Sequence, residues 1–191
     1  MTTIETAVAD IAAINAFFAI GVGGGVPLVE RLHDDAVIDE TAKRLLTQDR
    51  RAAASILFQG AMARLWSPYV ALRAAYGISI DLSDARWSDD GVRVPSLREG
   101  PRFALEPLVA ALPWVSPLVL YGNAASALVG AVGAFSRARP GDASRADSLQ
   151  RELLAEGPLA GRLDRRGVRR SCCLYYRVGG ICGDCVLLAV R

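Results

Sequence analysis

The chain has 191 residues, 52% of them hydrophobic, so it is long enough to bury a core and too apolar to be disordered. Its formal net charge of +2 is too close to zero to indicate a nucleic-acid partner. The first ten residues carry Glu5 and Asp10 but no basic residue, whereas a secretory signal opens with positive charge. We therefore expect a cytoplasmic protein, in a reducing compartment where structural disulfides are rare.

Apolar periodicity predicts helices along most of the chain. The predicted helices are 3–20, 40–66, 68–76, 102–112, 124–136 and 144–154. Ser67 and Asn123 are expected to cap the third and fifth helices. A short strand at 78–82 and a polar loop or hairpin at 84–102 lie between the helices, and two strands, 174–178 and 186–190, follow around a Gly179-Gly180 turn. The pattern indicates an α+β fold: a mainly helical body with a small β element (1–165) and an irregular C-terminal metal-binding segment (166–191).

Two long uncharged stretches, 11–29 and 107–136, resemble membrane spans by composition. A spanning helix needs about 20 continuous apolar residues. Clustered glycines interrupt the first stretch, and prolines, Gly122 and Asn123 interrupt the second. We therefore predict no transmembrane span, while peripheral contact with a membrane stays open.

All four cysteines lie within fourteen positions in the pattern C-C-x8-C-x2-C, as Cys172, Cys173, Cys182 and Cys185. Thiolates are soft ligands that favour zinc and iron–sulfur centres. The two residues between Cys182 and Cys185 let both sulfurs face one metal. Side chains of neighbouring residues on an extended segment point to opposite faces, so the adjacent pair requires a kinked backbone.

The residue types and spacing of these candidate ligands limit which kinds of metal centre are possible. Structural zinc sites generally use spaced cysteine pairs, so the adjacent pair disfavours zinc. A Rieske centre needs two histidines, and His33 is the only histidine in the sequence. A c-type haem needs a histidine after the second cysteine of its motif, where Val186 stands. An iron–sulfur cluster, a structural zinc site, a thiol–disulfide pair of Cys182 and Cys185, and unrelated buried cysteines remain as interpretations.

The cysteine segment resembles the C-terminus of the FhuF-type ferric-siderophore reductases. Three parts of the sequence carry this resemblance: 169–177 with Cys182-Gly183-Asp184-Cys185, 63–68 leading to Tyr76-Gly77, and 120–126. The resemblance implies a [2Fe–2S] cluster held by all four cysteines, and reduction of iron in imported ferric siderophores, often hydroxamates. Fewer residues separate Cys173 from Cys182 than is usual in the family, so the loop between them is shorter.

The implied reaction is chemically reasonable, because Fe(II) binds the hard oxygen donors of a siderophore far less tightly than Fe(III). A cluster that carries one electron is sufficient. The glycine run at 21–25 lacks the further glycine of a dinucleotide fingerprint, since Val26 stands there. We therefore expect a cytoplasmic ferric-siderophore reductase with a siderophore-binding body (1–165). An external donor, such as a ferredoxin or an NAD(P)H-dependent reductase, would supply the electron. The alternatives are a non-enzymatic [2Fe–2S] electron carrier and a zinc-stabilised binding domain.

Further candidate site residues come from the segments that carry the resemblance. Siderophore contacts are predicted for Asn123, Ser126, Tyr121 and Trp66, with helix capping or core packing as the alternative. Arg169 and Arg170 directly precede the cysteines. They are predicted to tune the cluster potential or to dock an acidic electron donor, and a solvated basic surface is the alternative.

Overall fold

Seven α-helices and four short strands form an α+β fold in residues 2–188, the part of the chain that the computed structural model describes. The helices are α1 (Ile4–Ala12), α2 (Leu28–His33), α3 (Asp35–Arg44), α4 (Arg50–Tyr76), α5 (Leu105–Ala110), α6 (Pro117–Ala138) and α7 (Ala143–Ala155). The strands are β1 (Gly21–Val22), β2 (Val26–Pro27), β3 (Arg86–Ser88) and β4 (Gly91–Val94). The predicted fold class, a mainly helical body with a small β element, is confirmed.

The chain divides into two compact units, each assembled from three stretches of sequence. The first unit contains residues 2–28, 63–104 and 128–152, and the second contains 29–62, 105–127 and 153–188. All four cysteines therefore belong to the second unit, together with the first part of α4 and the first part of α6. The predicted division at residue 165 separates a siderophore-binding body from a metal-binding segment. This functional division stays a prediction.

The first unit contains the sheet, with strand order β1-β4-β3-β2. Strands β3 and β4 form an antiparallel hairpin in which Ser88 pairs with Gly91, so the hairpin predicted within 84–102 is confirmed. Strand β1 pairs in parallel with β4. The predicted strand at 78–82 is reduced to one isolated bridge between Ile80 and Glu99.

Aromatic packing forms part of the core of the first unit. Trp66 is fully buried, and its ring lies 4.6 Å from the ring centroid of Phe103 and 6.0 Å from that of Tyr69, both in edge-on geometry. Such pairs contribute about 0.5–1.5 kcal/mol beyond the area they bury. This packing accounts for Trp66 as a core residue.

Several predicted helix boundaries are wrong for identifiable reasons. The predicted 3–20 helix ends at Ala12, and the predicted 40–66 helix is interrupted. Leu46 adopts a left-handed backbone conformation (φ 53°), and the Asp49 carboxylate accepts hydrogen bonds from the Arg51 and Ala52 amides, which starts α4. Helix α4 then continues through Pro68, where a new helix was predicted.

Ser67 and Asn123, the two predicted helix caps, both lie inside longer helices. The Ser67 hydroxyl donates to the carbonyl of Ala63, 2.7 Å away and one turn earlier in the same helix. Asn123 is likewise interior, because α6 begins at Pro117 instead of residue 124. The two predicted capping roles are therefore wrong.

The two strands predicted in the cysteine segment are absent from the residues described there. Tyr175–Arg177 and Val186–Leu188 form single turns of 3-10 helix instead, and residues 189–190 of the second predicted strand lie outside the described part. Leu174 initiates the first turn in a left-handed conformation (φ 68°), which an extended strand does not allow. The prediction of an irregular metal-binding segment nevertheless agrees with this structure.

Helix α6 is long and apolar enough to cross a bilayer. However, 56% of its most apolar window is buried inside the protein. Buried core helices pass the same test of length and composition, so α6 is weak evidence for a membrane span.

Candidate metal centre

The second unit brings the two halves of the cysteine motif together. The Sγ atoms of Cys173 and Cys182 lie 3.4 Å apart, and all four thiols are free. Cys173 and Cys185 are buried, whereas Cys172 and Cys182 are half-buried. The loop from 174 to 181 therefore folds back so that the second pair faces the first.

The four cysteine sulfurs are the donor set available to the implied cluster. Two thiolates bound tetrahedrally at about 2.3 Å from one metal lie about 3.8 Å apart, close to the Cys173–Cys182 separation. No three His, Cys, Asp or Glu side chains within residues 2–188 converge closely enough to hold a single metal ion. The four sulfurs in two adjoining pairs supply the four-thiolate set that a [2Fe–2S] cluster requires. The residues present fit the cluster.

The raised pKa values of two of these thiols, Cys172 and Cys182, disfavour a reactive dithiol. Burial raises the pKa of the Cys172 thiol, and the neighbouring Cys173 and Cys185 raise it further. Burial, followed by the hydrogen bond to Cys173, raises the pKa of the Cys182 thiol far above its ordinary value. Redox-active cysteines need a lowered pKa, because the thiolate is the nucleophile. A bound metal, by contrast, stabilises the deprotonated form directly.

The backbone kink predicted for the adjacent cysteine pair is present at the next residue. Leu174 has a φ of 68°, and its amide donates to Sγ of Cys172 at 3.4 Å. A left-handed conformation at a residue with a β-carbon costs on the order of 1–2 kcal/mol. The segment accepts this strain where the chain reverses direction after the ligands.

A buried arginine organises the residues around the cysteines. The Arg169 side chain is 1% exposed, and its Nε donates to a carboxylate oxygen of Asp184 at 2.6 Å. Its two terminal nitrogens donate to the Asn123 amide oxygen and, at 2.6 Å, to the Ser126 hydroxyl. The Arg169 backbone amide also donates to the Asp184 carbonyl at 3.0 Å. Because Asp184 lies between Cys182 and Cys185, Arg169 fixes the second cysteine pair.

The Asp184 carboxylate is ionised despite its surroundings. Burial alone raises its pKa, but hydrogen bonds from Ser126 and Arg169 and the positive charge of Arg169 bring the pKa below its ordinary value. A buried arginine therefore keeps its counter-ion. This pairing also explains why a charged side chain is tolerated in the interior.

The same network extends to the first cysteine pair. The Asn123 side-chain NH2 donates to the backbone oxygen and the hydroxyl of Ser55, at 2.9 and 2.8 Å. The Ser55 hydroxyl in turn donates to the carbonyl of Cys173 at 2.7 Å. Both cysteine pairs are thus linked through one set of buried side chains, which we call the clamp network: Ser55, Asn123, Ser126, Arg169 and Asp184.

A glycine on α6 allows the segment before the cysteines to approach closely. A β-carbon at Gly122 would overlap the Ser171 hydroxyl oxygen, far inside any contact distance that folded proteins tolerate. That hydroxyl donates to the Leu118 carbonyl at 2.8 Å, so moving it breaks a hydrogen bond. Gly122 is therefore the contact point between α6 and the residue preceding Cys172.

The structure separates the predicted siderophore-contacting residues. Asn123 is completely buried, and its amide group is satisfied by Ser55 and Arg169, while Ser126 bonds Arg169. Tyr121 lies in the same unit with the Arg162 guanidinium 5.7 Å from its ring centre. Trp66 belongs to the first unit. A role for these residues in siderophore binding stays a prediction.

The two arginines before the cysteines also differ. Arg169 is buried and saturated with partners, whereas the Arg170 side chain is exposed. Of the two, only Arg170 is accessible to a docking electron donor. Only Arg169 could tune the cluster potential from the interior. Both roles stay predictions.

Sequence reasoning missed Ser55, Gly122 and the role of Asp184. Ser55 is a polar residue within an otherwise apolar helical run, which is a signal for a buried hydrogen bond. Asp184 lies in the loop between two ligands and can pair with a nearby arginine, a weaker signal. The crowding at Gly122 depends on a contact with residue 171 and has no local sequence signal.

Comparison with known proteins agrees with this geometry. Residues 169–187 match the model of the FhuF 2Fe-2S C-terminal domain, a stretch that contains Arg169, Asp184 and all four cysteines. Neither a curated protein nor a solved structure matches the chain. The matched stretch confirms the predicted [2Fe–2S] cofactor and is consistent with the FhuF-type family, although it covers only residues 169–187.

Proposed function

We propose that the protein is a ferric-siderophore reductase that passes one electron from an external donor to Fe(III) in a bound siderophore. One observation carries this proposal: the stretch matching the FhuF 2Fe-2S domain also brings Cys173 and Cys182 into contact. When bound, a [2Fe–2S] cluster supplies one electron at a time. Gain of that electron converts Fe(III) to Fe(II), which leaves the siderophore because its oxygen donors hold the lower charge weakly.

The protein's own residues have two tasks in this proposal. Four thiolates hold the cofactor, and the clamp network keeps the two cysteine pairs facing each other. The buried positive charge of Arg169 lies beside the second pair and favours the more negative, reduced state, while the paired Asp184 carboxylate offsets part of this effect. A site that positions its ligands in advance loses little energy to rearrangement when charge changes.

The proposal also includes a cytoplasmic location and a separate donor, such as a ferredoxin or an NAD(P)H-dependent reductase. Four closely spaced free thiols favour a reducing compartment. In the electron transfer itself, this chain would contribute only the cluster that its cysteines hold.

An anaerobic experiment tests the function. Chemically reduced, cluster-loaded protein is mixed with a ferric trihydroxamate in the presence of a ferrous-specific chromogenic chelator. We expect saturable reoxidation of the protein and one Fe(II) per electron lost. Reoxidation that never saturates, and follows only the potentials of arbitrary Fe(III) chelates, would instead identify a general electron carrier.

A further inference from the structure

An open cleft lies at the beginning of α4, within the second unit. It has a volume of about 690 Å³ and is lined by Asp35, Gln48, Asp49, Arg50, Arg51 and Trp114. Ligand sites in proteins commonly have volumes of roughly 300–1,000 Å³. We propose that this cleft is where the ferric siderophore binds, an assignment that rests on the proposed reductase function.

The cleft has an aromatic wall. Trp114 leaves 39% of its surface exposed, which is unusual for so large an apolar side chain. The Arg50 guanidinium lies 5.9 Å from the centre of its ring and is paired with Asp35 and Asp39. Arg50 is thus already held in place, and the Trp114 ring offers an apolar surface to the hydrocarbon arms of a siderophore.

The remaining polar side chains of the cleft, Arg51 and Gln48, can both donate hydrogen bonds. The carboxylates of Asp35 and Asp49 are occupied by Arg50 and Arg177, whereas Arg51 makes no ion pair within residues 2–188. Gln48 is exposed beside it. The chelating oxygens of a ferric hydroxamate carry negative charge and keep lone pairs that accept such donors. The lining therefore suits an oxygen-rich iron complex better than a cation.

Two contacts join the cleft to the metal centre. Asp49 accepts a hydrogen bond of 2.6 Å from Arg177, which lies in the loop between Cys173 and Cys182. This ion pair is the main reason that the pKa of Asp49 is below its ordinary value. The wall of the cleft therefore directly contacts the loop between the two cysteine pairs.

The second contact runs along helix α4. Arg51 lines the cleft, and Ser55, four residues later, donates to the Cys173 carbonyl. Residues i and i+4 lie on the same side of a helix, just over one turn or about 6 Å apart along its axis. A complex held at Arg51 is thus one helical turn from the residue that contacts the ligand segment, a placement suited to direct electron transfer.

Binding is measured separately from electron transfer by using a gallium(III) trihydroxamate, which has the charge and shape of the ferric complex but accepts no electron. Cluster-loaded wild-type protein, Arg51→Gln and Trp114→Leu are titrated with it by calorimetry. We expect each variant to bind at least ten-fold more weakly than the wild type. Their visible spectra and their oxidation by ferricyanide should remain those of the wild type.

Arg145→Gln is the matched control. Arg145 is an exposed arginine that lines a different cleft, of about 380 Å³, within the first unit. It should leave the dissociation constant unchanged. If the wild type binds but Arg51→Gln and Trp114→Leu bind equally well, the cleft assignment is wrong while the reductase function stands. If no hydroxamate, catecholate or carboxylate complex of gallium binds the wild type, both proposals are wrong.

Discussion

Nε of Arg169 lies 2.6 Å from a carboxylate oxygen of Asp184, so an ion pair between a buried arginine and a half-buried aspartate holds the loop between the last two cysteines. Removing Arg169 leaves this carboxylate without its counter-ion and removes the donors to Asn123 and Ser126. We expect Arg169→Gln to lower the free energy of unfolding by about 3–5 kcal/mol. Arg170→Gln, the exposed neighbour, should change it by less than about 0.5 kcal/mol.

Chemical denaturation of both variants measures this difference. Arg169→Lys serves as a second control, because lysine keeps the charge but cannot reach three acceptors with one planar group. It should be intermediate in stability. Equal stability of the Arg169→Gln and Arg170→Gln proteins would show that the ion pair does not stabilise the site.

Replacing Asn123 with alanine should affect the metal centre in the absence of any siderophore. The change removes one of the buried hydrogen-bond partners of Ser55 and one of those of Arg169, at a cost of about 1–3 kcal/mol per group left unpaired. We therefore expect faster loss of iron from the purified protein, followed by its visible absorbance. An unchanged rate of iron loss together with weaker siderophore affinity would instead support the direct substrate contact predicted from the sequence.

Serine at any one of Cys172, Cys173, Cys182 or Cys185 should abolish or severely destabilise the cluster, because serine is a poor ligand for iron in this set. The helices should remain, since their packing does not depend on the metal. Iron and sulfide analysis and circular dichroism check the two halves of this expectation. A Cys173→Ser protein with the wild-type visible spectrum would show that the ligand set is wrong.

A β-carbon at Gly122 should weaken the metal centre by displacing Ser171. The matched control lies on the same helix at Gly130, where an added β-carbon meets no atom within 4 Å. Gly130→Ala should raise the free energy of unfolding by about 0.5–1 kcal/mol through helix propensity. Gly122→Ala should lower it and accelerate iron loss. If both substitutions stabilise the protein, the close approach of Ser171 is unimportant.

The first unit should lose stability in acid through Asp10. Hydrogen bonds from Tyr76 and then Arg139 lower the pKa of Asp10 below its ordinary value of 3.8. Because the pKa is lower in the folded state, the stabilisation is complete above the unfolded-state pKa. It disappears as the pH falls through the folded-state pKa. Because the pair is partly exposed, its contribution at neutral pH is at most about 1 kcal/mol.

Denaturation of the wild type and Asp10→Asn at several pH values checks this effect. The difference between them should be largest near neutral pH and vanish in strong acid. A difference that is the same at both ends of the pH range would contradict the role of the carboxylate charge.

The four cysteines could be identified as candidate ligands because the information is local: their number, their spacing and the absence of histidine near them. The helical body was also predictable from periodicity. The helix boundaries were not predictable in this way. Pro68 lies within α4 and Asn123 within α6, because tertiary packing overrides local capping signals. The clamp network joins residues 55, 123 and 169, and no local pattern connects positions so far apart.

The clamp network consists only of contacts between protein groups. Hydrogen bonds from Ser55 to Cys173 and from Arg169 to Asp184 join protein atoms only and use none of the cysteine sulfurs. Ordering the chain is a large part of the free-energy cost of forming a metal site, and these contacts between protein groups contribute to that ordering. On this basis, oxidative loss of iron would leave the cysteine pairs held near each other, so that a cluster could be rebuilt on the same molecule with little refolding.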